Sequence, residues 1–191
     1  MEQTAGRYRE GVSGHVLRIG AIGGLAGGFA MAMWQMIYSA STGDGFWTPL
    51  NVCMASFVYR TDARTMIHDS MMHPGMSMNE PLQASHLLVG MTLHFLFSAV
   101  VGVAFAVILF EIRQSGLLPL LERSAGFVVA SIAGGAGLYF VMWYLVLPWA
   151  NSPFKDLTLK GPFFAAHLVF GLLFGLVAFP LLRRPHQPTQ E

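Results

Sequence analysis

The sequence predicts an all-α polytopic membrane protein, built as a four-helix transmembrane bundle. Three observations carry that reading. Only 11% of the 191 residues are charged and 54% are hydrophobic, against about 25% charged in an ordinary soluble domain, and mean hydropathy is +0.53. Four apolar stretches, at about residues 16–39, 84–110, 124–147 and 162–182, each reach the roughly 20 residues needed to cross about 30 Å of hydrocarbon. No acidic residue falls within any of them. The chain is accordingly read as one membrane domain, 1–191, with a long loop over residues 40–83.

Residues 1–14 are polar and contain glycine, which predicts a tail outside the first span. The first span opens on Gly-Ala-Ile-Gly-Gly-Leu-Ala-Gly-Gly, where Gly20, Gly24 and Gly28 recur four apart. Small residues at that spacing let helix backbones approach closely in lipid. Trp34 and Tyr38 follow near the far interface, where amphipathic rings settle. Ser-Thr-Gly-Asp-Gly then signals a turn. The apolar run over residues 50–59 is too short to span and reads as an interfacial or re-entrant helix. Residues 61–72 form a second short helix, with Thr61 or Asp62 as N-cap, ended by Pro74-Gly75. The second and third spans are joined by a short segment of mixed charge, residues 111–123. Pro148-Trp149 and Asn151-Ser152-Pro153 mark an interfacial loop before the fourth span, which Arg183-Arg184 stops.

Basic residues near span ends set orientation. Arg7, Arg9, Arg18, Arg113, Arg123, Arg183 and Arg184 lie on one side, and Arg60, Arg64, Lys155 and Lys160 on the other. Seven against four places both termini in the cytoplasm and the loop outside. A net charge of +1 offers no basic surface for nucleic acid, and the single cysteine, Cys53, excludes an internal disulfide or a cysteine metal cage. The polar start and the length of the first span argue against a secretory signal peptide. Without intramembrane carboxylates a pump-type proton relay is disfavoured. The sequence has no nucleotide loop, catalytic triad or HExxH motif. The expectation is therefore a non-catalytic protein.

An internal repeat is visible. His94, Phe97 and Gly102 match His167, Phe170 and Gly175 in spacing, and Met33-Trp34 matches Met142-Trp143. This predicts two tandem hairpins related by a pseudo-two-fold axis along the membrane normal. His86, Gly90, His94, Ser98, Gly102 and Ala106 form one row at i+4 spacing, and His167, Gly171 and Gly175 another. Residues four apart share a helix face, and intramembrane ionisable groups turn inward, so His94 and His167 should face the bundle. Two readings of that pair stay open. They are hydrogen-bonded to a neighbouring helix, or they are the axial ligands of a b-type haem in an electron-transferring membrane anchor.

The remaining signal is a cluster of soft ligands. Met66, His68, Met71, Met72, His73, Met76, Met78 and His86 crowd into 21 residues, and thioether and imidazole suit copper. The Met-Met-His-Pro-Gly-Met-Ser-Met segment resembles the Met/His-rich segments of periplasmic copper-handling proteins. The competing reading is that these methionines are adaptable apolar filler against the bundle. The Gly-rich first helix, Gly-Phe-Trp-Thr-Pro-Leu at 45–50 and the His-xxx-small-xxx-Gly helices at His94 and His167 resemble a group of uncharacterised four-span bacterial inner-membrane proteins. That resemblance implies a multi-pass inner-membrane topology and no particular reaction. The functional expectation is a copper-binding protein or accessory subunit of a membrane complex. The haem anchor and a purely structural helix-packing subunit are the alternatives. The implied partners are the lipid bilayer and either other membrane subunits or further copies of the chain.

Overall fold

The computed structural model describes residues 2–50, 57–58, 84–150, 152, 155 and 158–183, with side chains from residue 14 onward. The described elements are helical: α1 (Glu2–Thr42), α2 (Ala84–Gln114), α3 (Ser124–Val141) and α4 (Lys160–Arg183). α3 runs on through a wide i→i+5 turn at Met142–Val146 into Leu147–Ala150. All four are long and apolar enough to cross a membrane, and the protein is a multi-pass, all-α membrane bundle.

α1 corrects one expectation. Residues 2–14 continue the first helix and do not form a separate tail. Strong helix formers, Glu2, Gln3, Ala5, Arg7, Arg9 and Glu10, outnumber the glycines there. The helix ends as its sequence suggests. Gly43 takes φ +89°, donating its N–H to Ala40 O while Asp44 donates to Ser39 O, the two-bond closure of a Schellman motif. The short helices expected over 50–59 and 61–72 lie outside the described residues, apart from Leu50, Phe57 and Val58.

Each helix is apolar nearly all round, as a membrane demands. The faces turned outward carry Phe29, Ile37, Leu96, Val100, Phe140 and Leu176. The faces turned inward carry small residues. On α2 the buried set is Gly90, His94, Ser98, Gly102 and Ala106, joined by Leu109, so the i+4 row predicted from His86 to Ala106 is the packed face. α3 buries Phe127, Ser131, Gly135 and Tyr139 at the same spacing.

Helix pairs meet at these rows. α1 packs on α2 and on α4, and α3 packs on α4, whereas α2 and α3 barely touch. A Cβ at Gly102 would strike Gly24 Cα and Gly20 O, and one at Gly24 would reach Gly102 Cα at 2.8 Å. In the other hairpin a Cβ at Gly135 would strike His167 O, and one at Gly171 would lie 2.9 Å from Ile132 Cα. Both hairpins thus rest on the contact of small residues, consistent with the predicted tandem arrangement. Its register differs from the Met-Trp match, because Gly28 and Gly135 are the corresponding contact points.

The likeness of the hairpins stops at their outer faces. Phe170 is 1% exposed but its sequence match Phe97 is 49% exposed. Gly23 and Gly27 on α1 receive the rings of Phe174 and Phe170. Opposite them α2 sends Phe105 edge-on to both rings, its own edge lying against Gly134 of α3.

The Arg183 end of the bundle is closed by a core of Val16, Ile19, Leu109, Phe127, Phe174 and Phe179. A 3₁₀ turn, Pro119–Glu122, lays Leu121 into it with no exposure. Gly126 makes room, because a Cβ there would strike Leu120 O. The sequence shows no partner for Glu122, but the fold supplies two. Arg113 donates from Nε and Nη2 to its carboxylate at 3.1 and 2.9 Å, and Arg183 donates to its carbonyl at 3.1 Å. The Arg113 hydrogen bonds hold the Glu122 carboxyl below its ordinary value of 4.5.

Two outcomes are expected. Gly102→Leu, which forces a side chain into the α1 backbone, should destabilise the protein by about 3 kcal/mol in detergent unfolding. Gly137→Leu, with nothing within 4 Å of its Cβ position, should unfold like the parent, and equal behaviour of the two variants would contradict the packing described. For Glu122, a lowered carboxyl pKa means the pair stabilises above pH 4.5 and is lost as pH falls through the lowered value. Glu122→Gln should therefore melt slightly lower than the parent at neutral pH, and the difference should vanish once the pH falls below the lowered value.

Candidate functional site

Between the helices, in the half nearer Gly43, lies a cavity of about 350 Å³ bordered by all four. His94 and His167 both line it. His94 stands ten residues into α2 and His167 seven into α4, about 15 and 10 Å of helix rise from each helix's first residue, and both reach the same cavity. Both are buried, at 9% and 2% exposure, as expected of intramembrane imidazoles.

Their anchoring differs. His94 donates from Nε2 to the carbonyl of Gly28 on α1 at 2.8 Å. The bond exists because Gly28 has no side chain. A Cβ there would strike the Ser98 hydroxyl and come within 3.6 Å of the imidazole. His167 donates from Nδ1 to Phe163 O, one turn earlier on its own helix, at 2.8 Å. It is held between the edges of Phe163 and Tyr139, with ring centroids 4.5 and 5.9 Å away. A carbonyl can only accept, so each imidazole must carry its proton on the bonded nitrogen. The remaining nitrogens, Nδ1 of His94 and Nε2 of His167, are lone-pair atoms.

The walls are mainly apolar. Met31, Leu138, Met142, Phe163 and Phe170 contribute, and Gln35, Tyr38, Asp44, Thr48 and Thr158 stand toward the mouth. The mouth is braced by short polar contacts. Ser39 donates to Gly45 O at 2.7 Å, the Thr42 hydroxyl donates to the Asp44 carboxylate at 2.9 Å, and the Thr48 hydroxyl bonds Asp44 O. Trp34 donates its indole N–H to Pro162 O at 3.2 Å, tying α1 to the start of α4. Trp143 is buried beside Tyr139 and Phe163, with the ammonium groups of Lys155 and Lys160 about 6 Å from its ring centroid.

Of the eight predicted copper ligands, Met66, His68, Met71, Met72, His73, Met76 and Met78 lie outside the described residues. His86 is described, half-buried in the first turn of α2. Among the described residues no three His, Cys, Asp or Glu gather as a metal cage. The polar mouth residues were not singled out by the sequence. Gln35, Tyr38 and Asp44 carry no motif, and only the positions of Gln35 and Tyr38, one and two turns beyond Met31, hint that they share its surroundings.

No protein-family model, curated protein or solved structure matches this chain.

The two tautomers can be checked directly. In protein labelled with ¹⁵N-histidine, NMR should show one buried imidazole protonated at Nε2 and one at Nδ1. Gly28→Val should abolish the first signal and leave the second. Two imidazoles of the same tautomer would contradict the bonding described.

Proposed function

We propose that this is a non-catalytic membrane protein that binds copper at the loop end of the bundle. It acts either as a copper-binding protein in its own right or as an accessory subunit of a membrane complex. The observation that carries the reading is the position of His86. It lies in the first turn of α2, on the i+4 row that continues through buried Gly90 and His94. His86, the last residue of the Met/His-rich stretch, therefore lies on the face of α2 that borders the cavity, about 12 Å of helix rise from His94. Met66, His68, Met71, Met72, His73, Met76 and Met78 supply thioethers and imidazoles suited to Cu(I). The distribution of Arg and Lys supports an inner-membrane protein with cytoplasmic termini and an outward copper segment.

The haem alternative has less support from the geometry. Axial ligation by His94 and His167 through facing Nε2 atoms would cost His94 its bond to Gly28.

Protein purified in mild detergent should carry about one copper per chain, with no haem absorption in the visible. Replacing His68, Met71, Met72, His73, Met76 and Met78 together should reduce copper to background. Undiminished copper in that variant would defeat the loop assignment, and a Soret band in the parent would favour haem.

A further inference from the structure

We propose that the histidine-lined cavity is a binding site for a phenolic or quinol-type molecule, an apolar ring bearing hydroxyl donors, taken up from the bilayer. The proposal does not depend on the copper reading. Size is the first argument. A volume of about 350 Å³ falls in the roughly 300–1,000 Å³ range of organic ligand sites, and is some ten times the roughly 30 Å³ share of one water. A lone metal ion would leave most of it empty.

The walls give the second argument. Phe163 and Phe170, with Val101 and Leu138, present aromatic and aliphatic surface suited to a flat ring. Among the described residues no Lys or Arg lines the cavity.

The third argument is the donor–acceptor balance. His94 and His167 each spend their one N–H on a backbone carbonyl, and the Asp44 carboxylate stands among the mouth residues. The imidazoles thus offer lone pairs. A ligand with O–H groups satisfies them, whereas one with only carbonyl oxygens leaves them unpaired. The ring would enter from lipid between α2 and α3, which barely touch and which give Val101 and Leu138 to the cavity wall.

The test uses the full-length protein in detergent with trimethylhydroquinone, kept reduced, and trimethylbenzoquinone, each followed by equilibrium dialysis. The quinol should bind about tenfold more tightly than the quinone, the discrimination expected from one unpaired buried acceptor. His167→Phe, which removes one of the two lone pairs, should reduce that preference, and His94→Phe combined with it should lose it. Leu138→Trp, which fills the cavity from α3, should lose binding of both. The variant lacking the six loop Met and His side chains should bind the quinol as the parent does, which separates this site from the copper segment. Equal affinity for the two probes, unchanged binding in Leu138→Trp, or no binding by the parent would overturn the proposal.

Discussion

Backbone contact at glycine is the constraint on which the rest of this structure depends. Lipid gives apolar helix faces no reason to leave it, so association rests on close van der Waals packing and interhelical hydrogen bonds. Gly20, Gly24 and Gly102 let α1 and α2 touch along their main chains, and Gly135 and Gly171 do the same for α3 and α4. The approach has a chemical consequence. It carries the Gly28 carbonyl to within 2.8 Å of His94, so packing and the tautomer of a buried imidazole have one cause.

The cavity arises from a contact that is missing. α1 is held on two sides, by α2 and α4, but α2 and α3 have no comparable seam. Phe105 spans the gap at mid-height, with its ring edge on Gly134 and on the rings of Phe170 and Phe174. Toward the Arg183 end the core closes with aliphatic and aromatic side chains and the inserted Leu121. Toward Gly43 no equivalent plug is present among the described residues, and the space remains. A bundle in which α2 met α3 as α1 meets α4 would have less room.

Much of this was legible along the chain. The four spans follow from composition and length. The buried face of α2 follows from one periodicity, since Gly90, His94, Ser98, Gly102 and Ala106 are spaced by four and all are buried. The inward direction of His94 and His167 follows from the cost of an imidazole in lipid. Other features could not be read. The helical start of α1 was masked by polar, glycine-containing sequence that also suits a tail. The Arg113–Glu122–Arg183 cluster joins the ends of two helices to a connector, and no local spacing announces such a meeting.

The sequence by itself determined which surfaces are apolar, which rows are small, and therefore that the chain forms membrane helices with two glycine-lined faces. Those are properties of single helices, and periodicity records them. Only the tertiary structure decided what each histidine bonds. Gly28 lies 66 residues from His94, whereas the Phe163 carbonyl is one turn from His167. It also decided that the matched hairpins are not equivalent in space. Phe97 and Phe170 occupy the same place in the repeat and both border the cavity, yet one is half exposed and the other enclosed. The physical reason is that α4 has a neighbour, α1, whose Gly23 and Gly27 receive its rings, while on α2 it is Phe105, not Phe97, that lays a ring against a glycine of α3, Gly134.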